Sequence, residues 1–193
     1  IMPRYPEAVQ ILKRRRAKLL EALAGERTMV LIEAGQPRAR NYPANTYPFR
    51  AFSHFLYFCG LPLPAATLVL VDGRWALFVE VPDHDDALWH GEQPGLDALQ
   101  AATGVEAVRD RRDLADLLSS RPRDQPVVRL PLGGDACGEA ALRVMDAVIG
   151  LRLVHDELAV HELRRASAVT AQAHAAGQRA TRVGVTEAAV RAA

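Results

Sequence analysis

Between Tyr47 and Gly60 the chain reads Tyr-Pro-Phe-Arg-Ala-Phe-Ser-His-Phe-Leu-Tyr-Phe-Cys-Gly, an aromatic density that nothing else in its 193 residues approaches. Large rings at this spacing demand a core to enter, so the segment constrains the fold more than any other. Pro48 biases Tyr47 toward extended geometry. Phe55, Tyr57 and Cys59 alternate with Leu56 and Phe58 before Gly60 ends the run, and the spacing predicts a loop that leads into a core strand. Arg50, set among the aromatics, reads as a buried arginine that holds the loop by hydrogen bonds.

A core of sufficient size is available, since 49% of the residues are hydrophobic and the length suits one domain or one domain plus part of another. With 24 basic and 23 acidic side chains the formal charge is +1, which supplies no field to gather nucleic acid or an anionic membrane. Cys59 and Cys137 lie far apart in different patterns, so both read as buried thiols in a reducing compartment. The segment Ile1 to Gln10 lacks the apolar core of a signal peptide, and no run approaches the roughly 18 apolar residues of a membrane span. The expected location is the cytoplasm.

Pro6 to Ala24 reads as a helix with an apolar stripe of Val9, Leu12, Leu19, Leu20 and Leu23, stopped by Gly25. Lys13, Arg14, Arg15, Arg16 and Lys18 read as its solvated basic face. A strand is expected at Thr28 to Glu33, then a long loop from Gly35 to Thr46. Strands Thr67 to Val71 and Trp75 to Val81 flank Asp72-Gly73, a strong hairpin turn signal. Beyond them helix and strand alternate: helices Leu96 to Thr103, Leu114 to Ser119 and Glu139 to Ile149, strands Val105 to Val108, Pro126 to Leu130 and Leu151 to Val154. This order implies a sheet with crossover helices. From Glu157 to Ala176 the chain is one amphipathic helix, and Gly184 and Thr186 introduce another at Glu187 that ends after two turns, so a larger partner domain is expected beyond it.

Candidate chemistry is sparse. His84, Asp85, Asp86, His90 and Glu92 form the densest set of potential ligands, but their spacing fits no ligand pattern and the loop from Pro82 to Pro94 reads as solvated. Glu157 and His161 lie one helical turn apart, an ordinary surface pairing. Gly133 and Gly134 precede a helix without the further residues of a phosphate loop. Ser53 and Cys59 have no histidine placed by sequence to activate them. No catalytic apparatus is expected from these residues alone.

Read as Tyr-Pro-aromatic-Arg followed by Ser-x-Phe-x-Tyr-Phe-x-Gly, the segment Tyr47, Pro48, Phe49, Arg50, Ser53, Phe55, Tyr57, Gly60 resembles the signature of the N-terminal domain of aminopeptidase P and its prolidase relatives. Further stretches resemble the same family in the same order. They are the arginine-rich first helix with the loop Arg38 to Thr46, the segment Ala87-Leu88-Trp89-His90-Gly91 followed by Gly104-Val105, and the run from Leu163 through His174 to Val183-Gly184-Val185-Thr186-Glu187. His54 and Cys59 depart from the pattern, standing where relatives often carry an acid and a threonine. The resemblance implies an α/β fold, a mixed β-sheet flanked by helices of the creatinase and aminopeptidase P N-terminal type (ribonuclease H-like), over residues 1–155. Residues 156–193 would be the first helices of a truncated pita-bread catalytic domain.

The family's reaction is release of the residue preceding proline, whose tertiary amide lacks an N–H and can be cis or trans. The resemblance places two divalent metal ions, manganese by expectation, in the catalytic domain on two aspartates, a histidine and two glutamates, and none of those positions falls in this sequence. The chain is therefore expected to be the non-catalytic N-terminal portion of an Xaa-Pro aminopeptidase, needing no cofactor of its own and inactive alone. Its partners would be its own catalytic domain, other copies of itself and short proline-containing peptides, with Trp89 as the substrate-facing residue. The alternatives are a stand-alone peptide- or protein-binding module, or the N-terminal domain of an Xaa-Pro dipeptidase.

Overall fold

The computed structural model describes residues 5, 7–82, 91, 93–133 and 138–193. The chain divides into two compact units, Ile1–Leu153 and Val154–Ala193. In the first, helix α1 (Ala8–Ala22) precedes strand β1 (Met29–Glu33), helix α2 (Ser53–Cys59), strands β2 (Thr67–Val71) and β3 (Arg74–Val79), helix α3 (Leu96–Thr103), strand β4 (Ala107–Asp110), helix α4 (Asp113–Ser120), strand β5 (Val127–Leu130) and helix α5 (Glu139–Arg152). The strands form one mixed sheet in the order β4-β3-β2-β1-β5. β2 pairs antiparallel with β1 and β3, whereas β3–β4 and β1–β5 are parallel.

Period-two alternation sorts the strand side chains onto two faces. Val30, Ile32, Leu68, Leu70, Trp75, Leu77, Val128 and Leu130 point to one face, where they meet Leu19, Phe55, Phe58, Leu99, Val144 and Val148 of the helices. Met29, Leu31, Val69 and Phe78 occupy the other, against Leu114, Leu117 and Leu118 of α4. Interior strand β1, flanked by β2 and β5, is buried on both faces, which explains its unbroken Met-Val-Leu-Ile. The Asp-Gly hairpin forms as expected, with φ of 49° at Asp72 and 73° at Gly73, the double positive φ that a two-residue turn between twisted strands requires.

Three expectations are corrected. Residues 53–59 are helix, not strand. Their fully buried members, Phe55, Phe58 and Cys59, follow i, i+3, i+4 spacing, a pattern concealed because Phe55 through Cys59 are all apolar and any period fits such a run. Residues 151–154 form no strand, because α5 runs through Gly150 to Arg152, and among the described residues the sheet has five strands. The basic face of α1 is not wholly solvated: Arg15 and Arg16 are only 6% and 3% exposed, while Lys13, Arg14 and Lys18 face solvent.

In the second unit, helix α6 (Glu157–Ala180) extends four residues past the expected end at Ala176 and starts with Asp156 accepting from the Ala159 amide at 3.0 Å. Helix α7 (Glu187–Ala192) starts with Thr186 accepting from the Ala189 amide at 3.3 Å. Both caps satisfy an amide that the first turn leaves unpaired.

Candidate functional site

The signature residues fall into a buried half and an exposed half. The buried half is α2 and what grips it. Gly60 ends α2 with φ of 79°, and Gly104 ends α3 with φ of 66°. Each is pressed on α1: a Cβ at Gly60 would lie 2.7 Å from Leu12 Cδ1, and one at Gly104 would lie 2.7 Å from Val9 Cγ1 and Lys13 Cε. Left-handed backbone and close approach together leave glycine as the residue that fits. The last carbonyls of a helix have no partner within it. Here Arg16 supplies one, donating from Nη1 to Phe58 O at 2.7 Å and from Nη2 to Thr103 O at 2.8 Å and Gly104 O at 2.9 Å. One guanidinium thus ties the C-terminal ends of two helices to a third, where its positive charge also suits the helix dipoles. Burial lowers the Arg16 pKa, against the opposing influence of Cys59 and Glu106.

Tyr57 sits between two cations. Arg15 lies 4.2 Å from its ring centroid and donates to its carbonyl at 2.8 Å, while Arg152 lies 6.0 Å from the ring. The Tyr57 hydroxyl donates to Leu151 O at 3.0 Å, and His54 Nδ1 is 2.9 Å from Arg152 Nη1. A guanidinium can only donate, so Nδ1 accepts and the imidazole is neutral with its proton on Nε2. Burial and then the charge of Arg152 hold the His54 pKa below its ordinary value. Phe58 stacks on Trp75 with centroids 5.9 Å apart. Burial pushes the Cys59 thiol up to about 12, so it is protonated at neutral pH and is no nucleophile.

The exposed half is a short hairpin. Tyr47 N donates to Arg38 O at 2.9 Å, Arg40 N to Asn45 O at 2.8 Å and Asn45 N to Tyr42 O at 3.0 Å, with a bridge between Ala39 and Thr46. Its base is fixed by Phe52 N to Ala34 O at 3.0 Å and Ala65 N to Gly35 O at 2.9 Å. Tyr47, Pro48 and Arg50 are exposed and Phe49 is half-buried against the core. Arg50 therefore does not take the buried place expected of it; its one hydrogen bond among the described residues is a 3.3 Å contact with Ser53 Oγ.

The family model of the aminopeptidase P N-terminal domain matches residues 12–128, more than half of the chain and the stretch that holds α2, the hairpin and both buried arginines. The chain belongs to that family. The protein named "Probable Xaa-Pro aminopeptidase pepP" of Aspergillus fumigatus is 29% identical over 174 residues, covering 82% of this chain and 37% of that protein. Its namesake in Aspergillus niger is 25% identical over 203 residues, covering 98% and 43%. Aminopeptidase P from Escherichia coli with the inhibitor Pro-Leu superposes with a TM-score of 0.75 at 24% identity, over 95% of this chain and 47% of that one. The zinc-substituted E. coli enzyme in complex with product gives 0.74 at 23%, over 95% and 48%. These likenesses establish the fold, and the chain spans less than half the length of the relatives it matches.

Within this aminopeptidase P N-terminal domain, no three His, Cys, Asp or Glu side chains among the described residues converge into a group that could hold a metal ion. Trp89 and the cluster His84, Asp85, Asp86, His90 and Glu92 lie outside the described residues, as do Gly134 and Cys137. Among the described residues, no helix is long and apolar enough to cross a membrane. Arg15 and Arg16 are what the reading of the sequence missed, although their signal was present. Leu12, Arg16, Leu19 and Leu23 step by four, three and four, so Arg16 stands in the apolar stripe of α1, and Arg15 stands beside it at i+3 from Leu12.

Proposed function

We propose that this chain is the non-catalytic N-terminal portion of a manganese-dependent Xaa-Pro aminopeptidase. Residues 1–155 form the domain that caps the active site and mediates self-association, and residues 156–193 open the catalytic domain that supplies the metal ligands. The substrates of the whole enzyme are short peptides with proline second, and its compartment is the cytoplasm. One observation carries the reading: the domain's family model spans residues 12–128, and the same chain aligns along 82% of its length with a relative named as an Xaa-Pro aminopeptidase. The neutral His54, held by Arg152, and the protonated Cys59, buried in the core, support a scaffolding role for this part.

The test joins this chain to the remaining, catalytic part of E. coli aminopeptidase P and assays release of the first residue from an Xaa-Pro peptide with Mn²⁺. The chimaera is expected to release it and the 193-residue chain alone is not. Metal-dependent turnover by the chain alone would refute the scaffolding role. A chimaera that folds, by circular dichroism and gel filtration, yet stays inert would refute the capping role.

A further inference from the structure

The hairpin of residues 38–47, with Arg50 and Phe52 after it, presents charges and rings that have no role in the packed junction. No aspartate or glutamate occurs between Glu33 and Asp72, while Arg38, Arg40 and Arg50 all fall in that interval, in a chain whose charges otherwise nearly cancel. Charge is therefore segregated onto one loop. Glu33, the nearest acid before it, is already engaged with Arg129 at 3.0 Å. Among the described residues, Arg38, Arg40 and Arg50 pair with no acid.

Three exposed aromatics share the loop. Tyr42 is 57% exposed, Tyr47 56% and Phe52 46%. Arg40 lies 4.9 Å from the Tyr47 ring centroid, a cation–π contact that leaves the guanidinium's hydrogen-bond donors unused. Phe52 lies across Gly35, whose missing Cβ would otherwise stand 2.8 Å from the ring. The backbone of the hairpin closes on itself, and Asn45 Nδ2 donates to Asn41 Oδ1 at 2.8 Å, so the loop needs nothing else to hold its shape. Preformed tyrosine and arginine side chains lose little freedom on association and dominate the energetics of protein interfaces.

We infer that Arg38, Arg40, Tyr42, Tyr47, Arg50 and Phe52 form a docking surface for an acidic protein segment, in which carboxylates pair with the arginines and apolar side chains cover the rings. The planar fork of arginine matches a carboxylate bidentately. A nucleic acid also offers anions and flat rings, but a net charge of +1 gives no long-range attraction for a polyanion, whereas a short acidic segment needs only the local charge. The inference is independent of the capping role.

The experiment uses the whole chain and fluorescence anisotropy with a labelled peptide of about a dozen residues in which glutamates alternate with alanines and valines. A peptide with lysine in place of glutamate and a single-stranded oligothymidine serve as competing probes. The glutamate peptide is expected to bind saturably and to weaken as salt is raised. The double variant Arg38→Glu, Arg40→Glu is expected to lose about tenfold or more in affinity. Arg109→Glu, which reverses one exposed arginine on β4, is expected to change it by less than about twofold. All the substituted side chains are exposed, so thermal midpoints should match the parent chain. The inference is overturned if the glutamate peptide does not bind, if the lysine peptide binds as well, or if Arg109→Glu costs as much as the double variant. It is equally overturned, in favour of a nucleic-acid surface, if oligothymidine binds more tightly than the peptide.

Discussion

Replacing Arg16 by methionine tests the core of this fold, because it removes the charge while keeping most of the side-chain length. Three carbonyls, those of Phe58, Thr103 and Gly104, lose their donor together. A hydrogen bond to a charged group contributes roughly 1.5–3 kcal/mol net, and each buried acceptor left bare costs about 1–3 kcal/mol. Simple addition overshoots, since methionine also relieves the desolvation of a buried guanidinium. With that offset the expected loss for Arg16→Met is about 3–5 kcal/mol, the cost of roughly two bare acceptors out of the three. With a urea m-value of about 2 kcal/mol/M, the midpoint should fall by about 2 M. The readout is urea unfolding in a Trp89→Phe background, so that buried Trp75, stacked on Phe58, reports alone. Arg16→Lys should fall between, because an ammonium carries three donors but lacks the fork that spans two helix ends. Arg14→Met, on the exposed side of the same helix, should stay within about 0.5 kcal/mol of the parent. If Arg16→Met behaves like Arg14→Met, the three carbonyls are not held by this arginine and the account of the α1–α2–α3 junction is wrong.

Two further outcomes follow from the same junction. Gly60→Ala must accept both a φ of 79° and a contact 2.7 Å from Leu12, whereas Gly25→Ala faces a φ of 85° with nothing near, so thermal unfolding should show the first losing about 1–3 kcal/mol more than the second. His54 has a lowered pKa, caused first by burial and then by Arg152, so the unfolded chain binds its proton more readily than the folded one. Its contribution to stability is present above the ordinary histidine pKa of about 6.5 and is lost as pH falls through and below it. Midpoints measured between about pH 7.5 and 5 should decline more steeply in the parent than in His54→Gln, and an imidazole titration by NMR that gives a pKa above 6.5 would refute the assignment of Nδ1 as acceptor.

The strands were legible because short runs rich in β-branched residues lie between turn signals, even where β1 and β2 are buried on both faces and show no alternation of polarity. Val30, Ile32, Leu68, Leu70, Trp75 and Leu77 share one face, and Asp72-Gly73 marks its turn by chemistry that few other pairs share. Legibility failed where an apolar run lacked the β-branched residues that would choose its period, or was short. Phe55 to Cys59 offers no polar residue to set a phase, and Leu151 to Val154 is four residues that a continuing helix claimed as far as Arg152. Gly60 was read correctly as a stop in either case, because a left-handed residue ends a helix as readily as a strand. Arg16 is concealed for a different reason: its charge implies solvent, although its phase in α1 places it in the core. Its partners are backbone carbonyls 42, 87 and 88 residues away, which no local pattern reveals.

The family signature was legible as a string but not as a division of labour. Phe55, Tyr57 and Gly60 belong to the packed junction, where Phe55 fills the core, Tyr57 is held between Arg15 and Arg152, and Gly60 lets α1 approach. Tyr47, Pro48 and Arg50 belong to the surface. Burial separates these two sets where residue type does not, because both carry an aromatic ring and nothing in the string marks Tyr47 as exposed and Phe55 as core. The separation has a physical consequence. A buried aromatic contributes its area and contacts to the folding equilibrium, whereas an exposed one is nearly indifferent to it and its area is free for another molecule. The motif therefore joins two quantities that can vary independently, the stability set by the residues after Ser53 and the association set by those before Ser53. A substitution at Tyr47 that lowered the unfolding midpoint as far as one at Phe55 would show that the boundary between them has been drawn in the wrong place.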